Sequence, residues 1–181
     1  TLILGNKTEA IKIFGADTDG YTIPAALNGI LDQTGAVVVV INVADPENED
    51  HLDDDGELDP TKITTADIVG GTNPDGTYTG AQALLAAQSE CAVQPRILIA
   101  PGFTHTTADG ATTNAVVSAL TIIAERLRGI VIADCPNGTK EQATQYQNKL
   151  NSPRVYSIYP WAKVMKGDNV VEEPFSARIA G

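Results

Sequence analysis

The chain has 181 residues, 43% hydrophobic and 19% charged, a length and balance that suit one α/β domain. Its net charge of -11 argues against non-specific nucleic-acid binding and against docking on an anionic membrane. The longest apolar run, Ala36 to Ile41, is too short to span a bilayer, and Cys91 and Cys135 lack the spacing of a disulfide framework or zinc site.

The opening Thr1-Leu-Ile-Leu-Gly reads as a strand. Asn6 with Glu9 three residues on predicts a helix start, and Gly15 its end. Thr22 is the expected cap of a second helix, with Pro24 in its first turn and Ala26, Leu27, Ile30 and Leu31 as its apolar stripe. Gly35 ends that helix. Val37 to Val43 is then an almost unbroken β-branched run, expected as a strand buried on both faces of a parallel sheet.

Residues 45 to 59 hold nine carboxylates and no Lys or Arg, which predicts a mobile acidic loop over 45–60 with His51 solvated inside it. Thr61 to Val69 is expected as a short strand or extended entry. Gly70-Gly71 and Asn73-Pro-Asp-Gly76 are turn signals. Thr79 with Gln82 predicts a capping box for a helix through Leu84, Leu85 and Ala92.

From there strand and helix alternate. Arg96 to Ala100, Gly129 to Ala133 and Arg154 to Tyr159 read as strands. Ala115 to Arg128 reads as an amphipathic helix, and Thr139 with Gln142 as a capping box opening another, to Leu150. Lys163 to Met165 and Val170 to Glu172 flank a hairpin turn at Lys166-Gly-Asp-Asn169. Ala177 to Gly181 looks like the first turns of a helix. The expected class is α/β: a mainly parallel central sheet flanked by helices, with a C-terminal β-hairpin. Both ends read as cuts through structured protein, so residues 1–181 are expected to be one body from a longer polypeptide.

Ligands of open parallel sheets bind beyond the carboxyl ends of the strands. His105 follows one such end and Asp134-Cys135 another, so a Cys nucleophile, a His base and an Asp orienter could meet there. That is the enzymatic alternative, a small-molecule-binding α/β enzyme. Against it, no GxSxG elbow accompanies Cys135, and Asp134-Cys-Pro-Asn137 reads equally as a turn. Gly70-Gly71 lacks the Lys and Ser/Thr of a phosphate loop. Asp53-Asp-Asp-Gly56 departs from a calcium loop, with Lys62 where the closing Glu belongs. Trp161 reads as a packing residue, and Arg126 and Arg128 as complements to a helix C-terminus. No catalytic residue, cofactor or metal is therefore expected. An acidic adaptor using residues 45 to 59 to hold a basic partner is a third class.

The order and wording of Pro95-Arg-Ile-Leu-Ile-Ala-Pro-Gly102, Ala133-Asp-Cys-Pro-Asn137, Arg154-Val-Tyr-Ser-Ile-Tyr-Pro-Trp161 and Val171 to Gly181 resemble the tail sheath proteins of contractile-tailed bacteriophages. The resemblance is strongest from Gln94 to Gly181 and fainter from Leu4 to Val43. It implies a structural subunit, not an enzyme. Such subunits stack in hexameric rings around a tail tube above a baseplate and contract by rigid-body rearrangement. Terminal arms link neighbours by strand addition in that family, and this stretch carries no recognisable N-terminal arm and stops before the C-terminal domain. The implied location is the virion tail, assembled in the bacterial host cytoplasm, with neighbouring subunits, tube and baseplate as partners and neither nucleic acid nor membrane.

Overall fold

The computed structural model describes residues 2–17, 21–108 and 112–181; Thr1, the first residue of the expected opening strand, lies outside them. Among the described residues, seven strands appear in chain order: β1 (Leu2–Leu4), β2 (Val37–Val39), β3 (Ile97–Leu98), β4 (Ile130–Asp134), β5 (Val155–Ile158), β6 (Ala162–Lys166) and β7 (Asn169–Glu173). The helices are α1 (Lys7–Phe14), α2 (Thr22–Leu31), α3 (Thr65–Val69), α4 (Ala87–Cys91), α5 (Ala115–Leu127), α6 (Lys140–Leu150) and α7 (Ser176–Ala180). β3, β4 and β5 form a parallel sheet with β4 in the middle, pairing Ile97 with Ile130 and Val131 with Val155. β6 and β7 close the expected antiparallel hairpin across Met165–Val170 and Lys166–Asn169. The α/β class, the parallel sheet and the C-terminal hairpin are as the sequence predicts.

The core forms where α5 lies on the sheet. Val116, Leu120, Ile123, Ala124 and Leu127 recur at helical spacing and meet Leu98 and Val131. Ile123 and Val131 have no exposed surface. Asn114 starts α5: its Oδ1 accepts the Val117 N–H at 2.8 Å while its Nδ2 donates to the Phe103 carbonyl at 2.9 Å, so one side chain caps the helix and pins the preceding loop. Arg128 ends it in the left-handed region at φ 54°. The Arg96 guanidinium reaches back to the Leu127 and Arg128 carbonyls at 2.8 and 3.3 Å, satisfying orphan acceptors at the helix end. Gly129 follows because a Cβ there would sit 2.6 Å from the Arg96 carbonyl oxygen.

Locally encoded elements match their prediction. Asn6 Oδ1 accepts from Thr8 and Glu9 N–H to start α1, and Gly15 ends it. The Thr139–Gln142 box opens α6 with both reciprocal bonds present.

Five expectations are corrected. Tyr21, not Thr22, precedes α2, and it makes no side-chain cap. The Val37–Val43 run is not a buried parallel strand: β2 is three residues long, pairs antiparallel with β1 among the described residues, and leaves Val37 55% exposed. Thr61 to Val69 is not extended, because Thr64 and Asp67 form a capping box that nucleates α3. The Thr79–Gln82 box is absent; Thr79 Oγ1 accepts the Gly71 N–H at 3.0 Å instead, and a 3₁₀ helix over Gly80–Ala86 precedes α4. His51 is buried at 4% exposure, not solvated. Its Nδ1 accepts the Asp45 N–H at 3.1 Å, and Nε2 faces Asn48 and Asp67 at 3.3 and 3.6 Å.

The backbone around His51 is correspondingly tied. Asp59 N–H donates to the His51 carbonyl, Asp53 N–H to that of Glu57, and Lys62 Nζ to that of Leu52. Leu52 and Leu58 bridge the two sides of the turn. Among the described residues no helix is long and apolar enough to cross a membrane.

Candidate functional site

The carboxyl end of β4 is where sequence logic places chemistry, and three proposed residues do gather there. The Asp134 carboxylate is already occupied and the Cys135 thiol is sealed. Asp134 is fully buried, and its carboxylate faces α7, not a histidine. Its Oδ1 accepts the Phe175 and Ser176 N–H groups, both at 2.8 Å, and its Oδ2 accepts the Ser176 hydroxyl at 2.5 Å. Its own N–H donates to Thr104 Oγ1 at 3.0 Å. A carboxylate whose two oxygens both bind α7 is a structural clamp, and it is aimed at that helix and not at a base.

Cys135 is 2% exposed and packs with Ala143 and Tyr146. Burial pushes its thiol up, the neighbouring Asp134 charge adds to that, and a hydrogen bond with Ser157 opposes it. A nucleophilic cysteine requires the reverse, a depressed pKa in an accessible, electropositive setting. Burial likewise pushes the Tyr146 phenol up, and its hydroxyl donates to the Thr104 carbonyl.

His105 packs edge-on against Trp161, with ring centroids 5.0 Å apart at 88°. Its Nδ1 is buried with no hydrogen-bond partner. Burial pushes its pKa down, and the Asp134 charge offsets only part of this. Trp161 Nε1–H donates to the Cys135 carbonyl at 2.9 Å, so the indole packs and pins as the sequence suggests. The expected trio is thus adjacent in space but unconnected as a relay. Asp53 in the acidic run is similarly spent, its Oδ1 accepting the N–H groups of Asp55 and Glu57 at 2.9 Å.

Sequence reasoning missed two features. One is the Asp134–α7 clamp, whose partners lie 41 and 42 residues away. The other is an open apolar groove of about 680 Å³ between the β1–β2 ribbon and the edge of β3. The only advance signal for the groove is the apolar run at Val37, too hydrophobic for the half-covered strand it becomes. Exposed apolar side chains also mark the surface: Ile122 on α5, Tyr156 on β5, and the cross-strand pair Met165 and Val170.

No protein-family model matches the chain. Curated relatives do. A Pseudomonas aeruginosa (strain UCBPP-PA14) protein named for a prophage major tail sheath is 32% identical over 182 residues, covering 99% of this chain and 42% of that protein. The tail sheath protein of Escherichia phage P2 is 34% identical over 142 residues, 77% of this chain and 32% of its own. The major tail sheath protein of Serratia phage KSP20 is 29% identical over 154 residues, 84% of this chain and 35% of its own. The chain therefore spans between 32% and 42% of the length of these relatives.

Proposed function

We propose that this chain, a homologue of phage and prophage tail sheath proteins, is the α/β body of a contractile tail sheath subunit. The observation that carries the reading is the alignment over 99% of the chain at 32% identity with a protein named for that role. In this reading residues 1–181 form one rigid body, which assembles with neighbouring subunits in hexameric rings around the tail tube and above the baseplate. It works in the virion tail after assembly in the host cytoplasm. Contraction is a rigid-body exchange of subunit contacts from an extended lattice to a contact-richer one. That process needs no nucleophile, base or cofactor, which agrees with the sealed state of Asp134 and Cys135. The acidic segment 45–60 is expected to open before the rest of the body, since its nine carboxylates repel one another and only the bonds around His51 hold its turn.

A polypeptide extended through both ends of these 181 residues is expected to form rings, tubes or polysheaths visible by electron microscopy. The 181-residue chain alone is expected to scatter light as a monomer of 19.0 kDa at micromolar concentration. Its net charge of -11 opposes self-association at low salt, and a contact below roughly 1,000 Å² is too small to hold a pair. A stable dimer of the short chain with no polymer from the long one would overturn the sheath reading.

A further inference from the structure

The β6–β7 hairpin is fastened to the rest of the molecule at its root and near its tip, and by different means. At the root, Trp161 Nε1–H donates to the Cys135 carbonyl at 2.9 Å, and Phe175 N–H donates to Asp134 Oδ1 at 2.8 Å. The residues that enter and leave the hairpin are thus held to two consecutive positions at the end of β4. Between these points apolar packing is thin. Among the described residues β6 and β7 pair only with each other, and no residue from 161 to 175 is buried. None from 162 to 173 joins the apolar clusters of the core. Met165 and Val170 on one side are 64% and 63% exposed, and Val164 and Val171 on the other are only half-buried. A lone two-stranded hairpin is marginal in water, so this one is kept in place by something else.

Charges supply the hold. Lys166, the last residue of β6 and the neighbour of the turn, meets Asp17 at 2.9 Å and Glu173 at 3.7 Å. Glu173 accepts from Arg178 Nε at 2.9 Å, the same guanidinium faces Asp32 at 3.6 Å, and Asp32 takes Lys7 at 2.6 Å. The series Asp17, Lys166, Glu173, Arg178, Asp32 and Lys7 alternates in sign throughout, and it runs from the hairpin through α7 to α2 and α1. Burial alone would lower the Lys166 pKa; Asp17, then Glu173, outweigh it and raise the pKa, so the ammonium stays charged through neutral pH. Asp17, Lys166 and Glu173 also border a cleft of about 250 Å³ walled by Ala26 and Gly29 of α2 and by Gly102. A further tie, Asn137 Nδ2 to Glu172 Oε2 at 2.7 Å, lies toward the root.

We propose that the hairpin is a strap with a fixed root and an ionic latch: it closes the α2 cleft while Lys166 holds Asp17, and it swings away from an intact body when salt screens that contact. Two differences between the ends select this motion. The latch charges are partly exposed, so salt reaches them, and the screening length falls from about 10 Å at 0.1 M to about 3 Å at 1 M. The root bonds go to Asp134 and Cys135, which are buried and screened far less. With so little apolar surface covered on the latch side, little else resists opening.

The strap does not depend on the sheath reading, and hydrogen exchange on the 181-residue chain tests it. Once unlatched, the hairpin ladder frays as an isolated pair of strands does. Raising NaCl from about 0.02 M to about 1 M should therefore speed exchange across 163–172 about fivefold, relative to free-peptide rates, with α5 and β4 unchanged. Asp17→Asn should exchange at the faster rate already at low salt and lose the salt response. Asp17→Asn combined with Lys166→Gln should be no faster than Lys166→Gln alone, because both act on one latch. The emission of Trp161, the single Trp of the chain, should not shift, since the root stays in place. Hairpin amides that ignore salt would overturn the proposal, as would Asp17→Asn exchanging like the parent chain. So would effects of the two substitutions that multiply, loosening that spreads to α5 and β4, or a shift in Trp161 emission that follows the exchange.

Discussion

Asp134 and Ser176 are joined through both carboxylate oxygens: Oδ1 accepts the Ser176 N–H at 2.8 Å, and Oδ2 accepts its hydroxyl at 2.5 Å. Neither residue has exposed surface. The pair fastens the start of α7 to the carboxyl end of β4, with Phe175 N–H as a third donor. α7 has no cap of its own, so this distant carboxylate does the work that a local Ser or Asp does elsewhere.

Asp134→Ala should therefore cost about 4 kcal/mol in urea unfolding, because three buried donors lose a charged acceptor at once. Ser176→Ala should cost about 1.5 kcal/mol. The double variant should fall well short of the sum, since the two share one network. Strict additivity would show that the clamp contributes nothing as a pair.

The thiols should separate cleanly. Cys91 is half-buried and Cys135 fully so. An aromatic disulfide reagent at pH 8 should titrate one thiol in the native chain and two in denaturant, with the second appearing at the rate of global unfolding. Rapid modification of both in native protein, or hydrolase activity lost in Cys135→Ala, would restore the enzymatic alternative.

His105 should make the fold sensitive to mild acid. Burial depresses its pKa in the folded chain below the ordinary 6.5, so the unfolded chain holds the proton more tightly. The stability this group contributes is complete above pH 6.5 and drains away as the pH falls from there toward its folded value. His105→Gln should flatten that part of the stability–pH curve when compared with the parent chain. An unchanged slope would place the sensitivity elsewhere.

Asp67 acts at lower pH. The Thr64 hydroxyl, then the Thr64 N–H, hold its carboxyl below the usual 3.8. Its contribution is present above 3.8 and lost as the pH falls through the lower folded value. Thr64→Ala should cost about 1 kcal/mol at neutral pH, as loss of a helix cap does, and should blunt this acid limb.

A Glu-specific protease should make its first internal cut at Glu47, Glu49 or Glu57. His51→Ala should accelerate that cut about tenfold, matching the loss of one buried hydrogen-bonded anchor. First cleavage at Glu90 or Glu125 would show that the acidic segment is firmer than the rest.

What was legible in the sequence was what a few neighbouring residues decide. Asn6, Thr139 with Gln142, and the Lys166–Asn169 turn each carry their partners within four positions, and each forms as expected. Thr79 fails the same test because a competing donor, the Gly71 N–H, comes from across a turn. His51 reads as solvated in a window of carboxylates, and only the fold brings Asp67 to its ring. The Val37 run misleads differently. Hydrophobicity specifies that a strand be covered, but not by what, and its cover is not among the strands described. At the candidate site, the gathering of His105, Asp134 and Cys135 at one sheet edge was foreseeable from topology. That Asp134 points to α7 was not, because its partners lie 41 and 42 residues away.

The position of the Asp134 clamp has a mechanical meaning. Tension applied at Gly181 travels into α7, and at Ser176 part of it transfers to the last residue of β4, the middle strand of the parallel sheet. The remainder continues along the backbone into the β6–β7 hairpin. A pull on that end is thus resisted in shear by strands paired on both sides of β4, whereas an attachment to β3 or β5 would let the sheet peel open from its edge.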